Sequence, residues 1–148
     1  MLVQDLVKLY PPICTEDMPL EKVYELLAST KDGMVVVIES ETHRTPIGVV
    51  NANSICEQII RRKRDPRGLA AGNVLDASYM RVEGTAPLSV CVERPNADTV
   101  VVVDENRRFA GVVKRAQVME MIGRLERAEK FAPQSAVAYS GVPIMGLA

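Results

Sequence analysis

The segments Asn51-Ala52-Asn53-Ser54 and Lys114-Arg115-Ala116-Gln117 carry the side chains best placed to hold a ligand. Each follows a Gly-Val-Val triplet, Gly48–Val50 and Gly111–Val113, and each leads into an apolar pattern of helical period. A strand ending in such a turn presents the free N–H groups of the next helix. Those donors, with the positive end of the helix dipole, suit a phosphate or carboxylate. A cation there opposes the dipole, so Lys114, with Arg115 beside it, is either offset by a bound anion or solvated at the surface. Asn51 is among the best N-cap residues, which by itself accounts for its place. Ser54 is ordinary in a first turn.

Other chemistry is thinly supplied. His43 is the only histidine, and Cys14, Cys56 and Cys91 are widely spaced with no C-x-x-C pair. Zinc needs several soft ligands at close spacing. The chain offers no nucleophile–base pair and no Gly-rich phosphate loop. These residues predict a non-enzyme with no required cofactor or metal, its thiols reduced and packed as small hydrophobes. Eighteen Lys and Arg against nineteen Asp and Glu leave a formal charge of -1, which argues against a nucleic-acid or anionic-membrane surface. No apolar run approaches the roughly 18 residues needed to cross a bilayer, and the first residues lack the pattern of a leader. The expectation is a cytoplasmic protein.

Two such turns in one chain raise the question of a repeat. A shift of 68 lays Leu6-Val7 on Val74-Leu75, Cys14 on Val82 and Pro19-Leu20 on Pro87-Leu88. One of 65 lays Val35–Glu39 on Val100–Asp104, and one of 63 lays the two Gly-Val-Val triplets together. The matches keep their order across the whole length. Pro19 fits the first helical position, and Leu20, Val23, Tyr24, Leu26 and Leu27 form one apolar stripe after it. Pro87 opens a shorter helix with Leu88, Val90, Cys91 and Val92, ended by Pro95. "MVVVIE" and "TVVVVDE" are continuous β-branched runs of the kind buried on both faces. Polar hairpins, "SETHRTP" and "ENRR", return the chain to the Gly-Val-Val strands. Helical period resumes at Ile55, Cys56, Ile59 and Ile60, and at Val118, Met119, Met121 and Ile122.

The unit is therefore strand, helix, strand, strand, helix, written twice: an α+β protein of two βαββα repeats packed sheet to sheet as one pseudo-twofold module. Residues 1–64 form the first repeat, 65–72 a linker marked by Pro66, Gly68 and Gly72, and 73–127 the second. Neither repeat alone buries enough surface for comfortable stability. The run Arg61–Arg64 suits a helix C-terminus. Met119, Met121, Ile122 and Leu125 form a stripe that serves as core or as a contact with a second chain. The tail, 128–148, is either flexible or docks on another subunit.

The repeated blocks "CTEDMPLEKVYELL", "GMVVVIE" and "IGVVNANSI", with "VEGTAPLSV", "TVVVVDE" and "AGVVKRAQV", resemble a tandem pair of CBS domains, a Bateman module. The resemblance spans residues 3–127. It implies a regulatory module that pairs into a homodimer, binds AMP, ADP, ATP or S-adenosylmethionine in clefts between the repeats, and signals to a separate effector protein. It assigns to those clefts Met34, Val35, Val36, Asn51 and Ser54 from the first copy. From the second it assigns Thr99, Val100, Val101, Lys114, Arg115 and Gln117. In that family the turn carries a Thr that reaches phosphate and, three residues on, an Asp that grips both ribose hydroxyls. Asn51 and Ser54 stand at those places in one copy, Lys114 and Gln117 in the other. Neither copy keeps the carboxylate. That exchanges a charged hydrogen bond worth about 1.5–3 kcal/mol for a neutral one worth about 0.5–1.5, or roughly tenfold in affinity per site. The alternative is a ligand-free module that dimerises or binds another protein, its nucleotide sites degenerate.

Overall fold

The computed structural model describes residues 1–76 and 78–130. Six strands and three α-helices follow in the order β1 (Ile13–Thr15), α1 (Leu20–Ser29), β2 (Val35–Ile38), β3 (Pro46–Val50), α2 (Ala52–Cys56), β4 (Tyr79–Glu83), β5 (Thr99–Val103), β6 (Phe109–Lys114) and α3 (Arg115–Lys130). They make two three-stranded sheets, β1-β2-β3 and β4-β5-β6. In each, the first strand runs parallel to the central one and the third antiparallel to it.

The registers repeat at the offsets read from the sequence. Ile13 stands opposite Val36, and Arg81 opposite Val101. Val35 stands opposite Val50, and Val100 opposite Val113. Even the irregularity recurs, after Val37 in one sheet and after Val102 in the other. A one-residue slip would turn every core side chain outward, so matching registers mean that both copies bury the same faces.

Burial shows why the central strands are unbroken β-branched runs. Every residue of β2 and β5 is buried. Strand alternation sends Met34, Val36, Ile38 and Val49 of the first sheet against Val101 and Val112 of the second. Val35, Val37 and Val50 face the other way, onto Leu20 and Val23 of α1 and onto Leu69, Ala71 and Val74. The segment expected as a linker is thus partly core: Leu69 and Ala71 are buried between short 3-10 turns at Pro66–Gly68 and Ala71–Asn73. By its contacts the chain divides after Val118, and Met1–Val118, which holds both sheets, is one compact unit.

Several local expectations change. Pro19 is the residue before α1, not its first helical position, and Tyr24 of the expected stripe is exposed. The segment after Pro87 is a 3-10 turn, Leu88–Glu93, and not an α-helix. Val90 and Val92 disfavour the α-helix, and three residues per turn still stack the buried Leu88 and Cys91 on one side. The helix after the first turn widens into a π segment, Glu57–Arg61, that keeps Ile55 and Ile59 on the core and leaves Cys56 and Ile60 exposed. The basic run ends it: Arg61 and Arg62 reach Glu57 at 2.7 and 3.5 Å, and Lys63 turns left-handed with φ 57°. A further 3-10 turn, Val3–Leu6, precedes β1 and had no counterpart in the sequence reading. α3 continues to Lys130, three residues beyond the expected end of the second repeat, and residues 131–148, most of the expected tail, lie outside the described residues.

Burial also sorts the thiols. It pushes Cys14 up to about 11, helped by the charge of Asp17. Cys91 is raised by burial against the opposing pull of Arg115. Cys56 is exposed. The thiolate is the reactive form, so at mildly alkaline pH a thiol reagent should label one cysteine rapidly in the folded protein. Denaturation should release the other two. Cys56→Ser should abolish the fast phase, and fast labelling that survives it would contradict these burials.

Candidate functional site

Both strand-to-helix turns close on themselves, but with different side chains left over. At the first, Asn51 is the N-cap of α2, and its Oδ1 accepts from the Ser54 N–H at 2.8 Å. Ser54 answers: its Oγ accepts from the Asn51 N–H at 3.0 Å and donates to the Asn51 carbonyl at 2.9 Å. This reciprocal box satisfies two helix-end donors at once. The remaining group, Asn51 Nδ2, donates to Asp76 Oδ2. Asp76 is held in turn, accepting from the Ser78 N–H at 2.8 Å and donating its own N–H to the Val49 carbonyl at 2.7 Å. Ser54 is only 8 % exposed. Asn51 and Ser54, the two side chains expected to bind here, are thus both engaged within the protein.

Asp76 is the residue the sequence reading missed. It lies 25 positions from its partner, too far for spacing to reveal. One signal was available: the shift of 68 that pairs Leu75 with Val7 sets Asp76 on Lys8.

At the second turn, Lys114 ends β6 and its N–H donates to Gln117 Oε1 at 2.8 Å. Lys114 has no acceptor to return, so only half of the box forms. Among the described residues its ammonium has no ion pair. Leu9 forms an isolated bridge to the same strand, its carbonyl accepting from the Val112 N–H at 3.0 Å. That pairing brings the exposed Lys8 to the same edge. Thr99, 7 % exposed, stands opposite Lys114 in the sheet. Arg115 turns elsewhere: its guanidinium donates to the carbonyls of Cys91 at 2.9 Å and Arg94 at 3.2 Å, tying down the 3-10 turn. One of its two terminal nitrogens is thereby engaged away from Lys114.

The other residues assigned to clefts sit deeper. Met34, Val36 and Val101 lie between the sheets, Val35 faces α1, and Val100 is fully buried. The structure thus brings together Asn51, Ser54 and Asp76 at one turn and Thr99, Lys114 and Gln117 at the other. A surface cavity of about 680 Å³ lies between Pro46 and Ile47 of the first sheet and Tyr79, Arg81 and Arg94. Tyr79 Oη and Arg81 Nη1 close its floor by donating to the Ile47 and Pro46 carbonyls at 2.8 and 3.1 Å. No helix among the described residues is long and apolar enough to cross a membrane.

Repeated registers, twin buried central strands and two equivalent turns define a duplicated βαββα module with one candidate small-molecule turn per copy. Residues 3–61 match the sequence model of the CBS domain, and the fold is that of solved CBS-domain pairs. A CBS domain-containing protein of unknown function from Bacillus anthracis shares 14% identity over 84% of this chain and 94% of its own, with a TM-score of 0.70. The CBS domain pair of protein MJ0100, solved with 5-methylthioadenosine and S-adenosyl-L-methionine, shares 16% over 84% and 98%, with a TM-score of 0.64. The CBS domain of a bacterial CNNM/CorC family Mg2+ transporter, solved with ATP, shares 22% over 83% and 87%, with a TM-score of 0.65. No curated protein matches the sequence.

Proposed function

We propose that this protein is a regulatory CBS module that senses an adenosine-type nucleotide at the second turn alone and passes the signal to a separate partner protein. The observation carrying this reading is the Lys114 ammonium, without an ion pair among the described residues, just before a 16-residue helix. A phosphate there would offset a cation that the helix dipole disfavours and would meet free first-turn N–H groups. Gln117 keeps its amide N–H2 for a ribose hydroxyl, since only Oε1 is engaged. Structural neighbours with this fold hold ATP or S-adenosyl-L-methionine, which supports the adenosine class.

The first turn has no such vacancy. Asn51, Ser54 and Asp76 satisfy one another, so a ligand would have to break that network before gaining a contact. Isothermal titration with AMP, ADP, ATP and S-adenosylmethionine should therefore give one site per chain. Lys114→Gln, which removes a charged hydrogen bond and leaves the fold, should weaken binding about tenfold. Asn51→Ser, which keeps a cap, should not weaken it. A flat response to all four ligands retires the sensor reading. It would leave the second reading, a dimerising or protein-binding module without ligand, which the closed first turn favours. Nucleotide absorbance in freshly purified protein would count against that alternative.

A further inference from the structure

At the opposite end of the central strands from the two turns lies a pair of equivalent cavities whose charges have inverted. One, of about 470 Å³, is lined by Glu16, Asp17, Glu39 and Glu41 with Thr15 and Ser40. Its counterpart, about 500 Å³, has Arg81, Glu83, Thr85 and Arg107 around a wall that includes Val90 and Val103. The correspondence follows the repeat, since Thr15 and Asp17 fall on Glu83 and Thr85 at the shift of 68. The backbone frame is common to both; the side chains are not.

We infer that the second cavity is a binding site for a small phosphate ester carrying hydroxyl groups, of sugar-phosphate size. Two arginines line it, and the planar donor fork of a guanidinium suits a phosphate. Neither is ion-paired among the described residues. Arg81 is anchored at one nitrogen, its Nη1 donating to the Pro46 carbonyl at 3.1 Å. Arg107 is presented by a turn that Asp104 fixes, accepting from the N–H groups of Asn106 at 2.8 Å and Arg108 at 3.0 Å. Its backbone is left-handed, φ 63°. A long side chain kept in that conformation, where glycine would cost nothing, points to a use for the side chain. Glu83, also without an ion pair, supplies a carboxylate acceptor for hydroxyls, and the Thr85 hydroxyl adds a donor. The volume falls within the range of small-molecule pockets, about 300–1,000 Å³.

The test is a titration of the intact, ¹⁵N-labelled protein with glycerol 3-phosphate, inorganic phosphate and glycerol. Glycerol 3-phosphate should give saturable shifts at the amides of Thr85 and Arg107, inorganic phosphate weaker ones at the same residues, and glycerol none. Arg107→Gly removes the guanidinium and suits the left-handed backbone, so it should fold at least as well and bind glycerol 3-phosphate at least about tenfold more weakly. Thr85→Val gives a second reading with a smaller loss. Shifts that never saturate, affinity unchanged in Arg107→Gly, or equal binding of inorganic phosphate would overturn the proposal. So would saturation at Lys114 instead, which would place the phosphate at the second turn and leave the nucleotide reading standing.

Discussion

Gly111→Ala should destabilise the protein by roughly 2–6 kcal/mol, the sum of overpacking at about 1–3 and a left-handed backbone at about 1–3. Gly111 has φ 141°, and a β-carbon there would overlap Val7 Cγ1 and touch the Leu9 carbonyl oxygen at 3.4 Å. The Leu9 contact is an ordinary one, so the overpacking falls on Val7. Gly48, its equivalent in the other triplet, is different: its φ is not in the left-handed region, and a β-carbon would meet only the Leu75 side chain, at 2.7 and 2.9 Å. Leu75 can rotate, so Gly48→Ala should cost the overpacking part alone, about 1–3 kcal/mol. Urea unfolding of both variants separates the cases. Total stabilities of about 5–15 kcal/mol leave Gly111→Ala partly unfolded at the lower end. Because Gly111 lies three residues before Lys114 in β6, the same variant should also weaken nucleotide binding, whereas Gly48→Ala should not. Equal unfolding midpoints would mean that the two triplets are constrained alike.

The fold was legible because its determinants are local and written twice. β2 and β5 declare themselves as β-branched runs, the triplets mark β3 and β6, and the offsets 68, 65 and 63 preserved the registers across both sheets. Elements set by competition were not. The Leu88–Glu93 segment has apolar spacing that fits two kinds of helix, and Val90, Val92 and the clasp of Arg115 on Cys91 and Arg94 settled it. The candidate site was legible as a pair of turns, because Gly-Val-Val fixes where each strand ends. What each turn has left to offer was not. Asp76 and Arg115 decide that through contacts 25 and 24 residues away in sequence, and no periodicity encodes them.

Met34→Ala should lower stability by about 2–5 kcal/mol, the usual cost of emptying a core methionine site. Met34 is 2 % exposed and packs between the sheets with Val36, Val101 and Val112, with Leu9, Ile13, Tyr79 and Phe109 at the margin. Contacts from both copies close around it, so the cavity has little freedom to collapse. Met34→Leu keeps the volume and should cost less than about 1.5 kcal/mol. These variants also separate two roles for the residue. If Met34 only spaces the sheets, Met34→Leu leaves nucleotide affinity at the wild-type value, and Met34→Ala loses affinity only as far as it unfolds. If the side chain touches the ligand, Met34→Leu changes affinity at unchanged stability, because a branched carbon replaces the thioether against the base. Urea midpoints and titrations on the same samples read both quantities. A ligand effect in Met34→Leu would place the adenosine between the sheets, nearer the first copy, and would move the binding site away from Lys114.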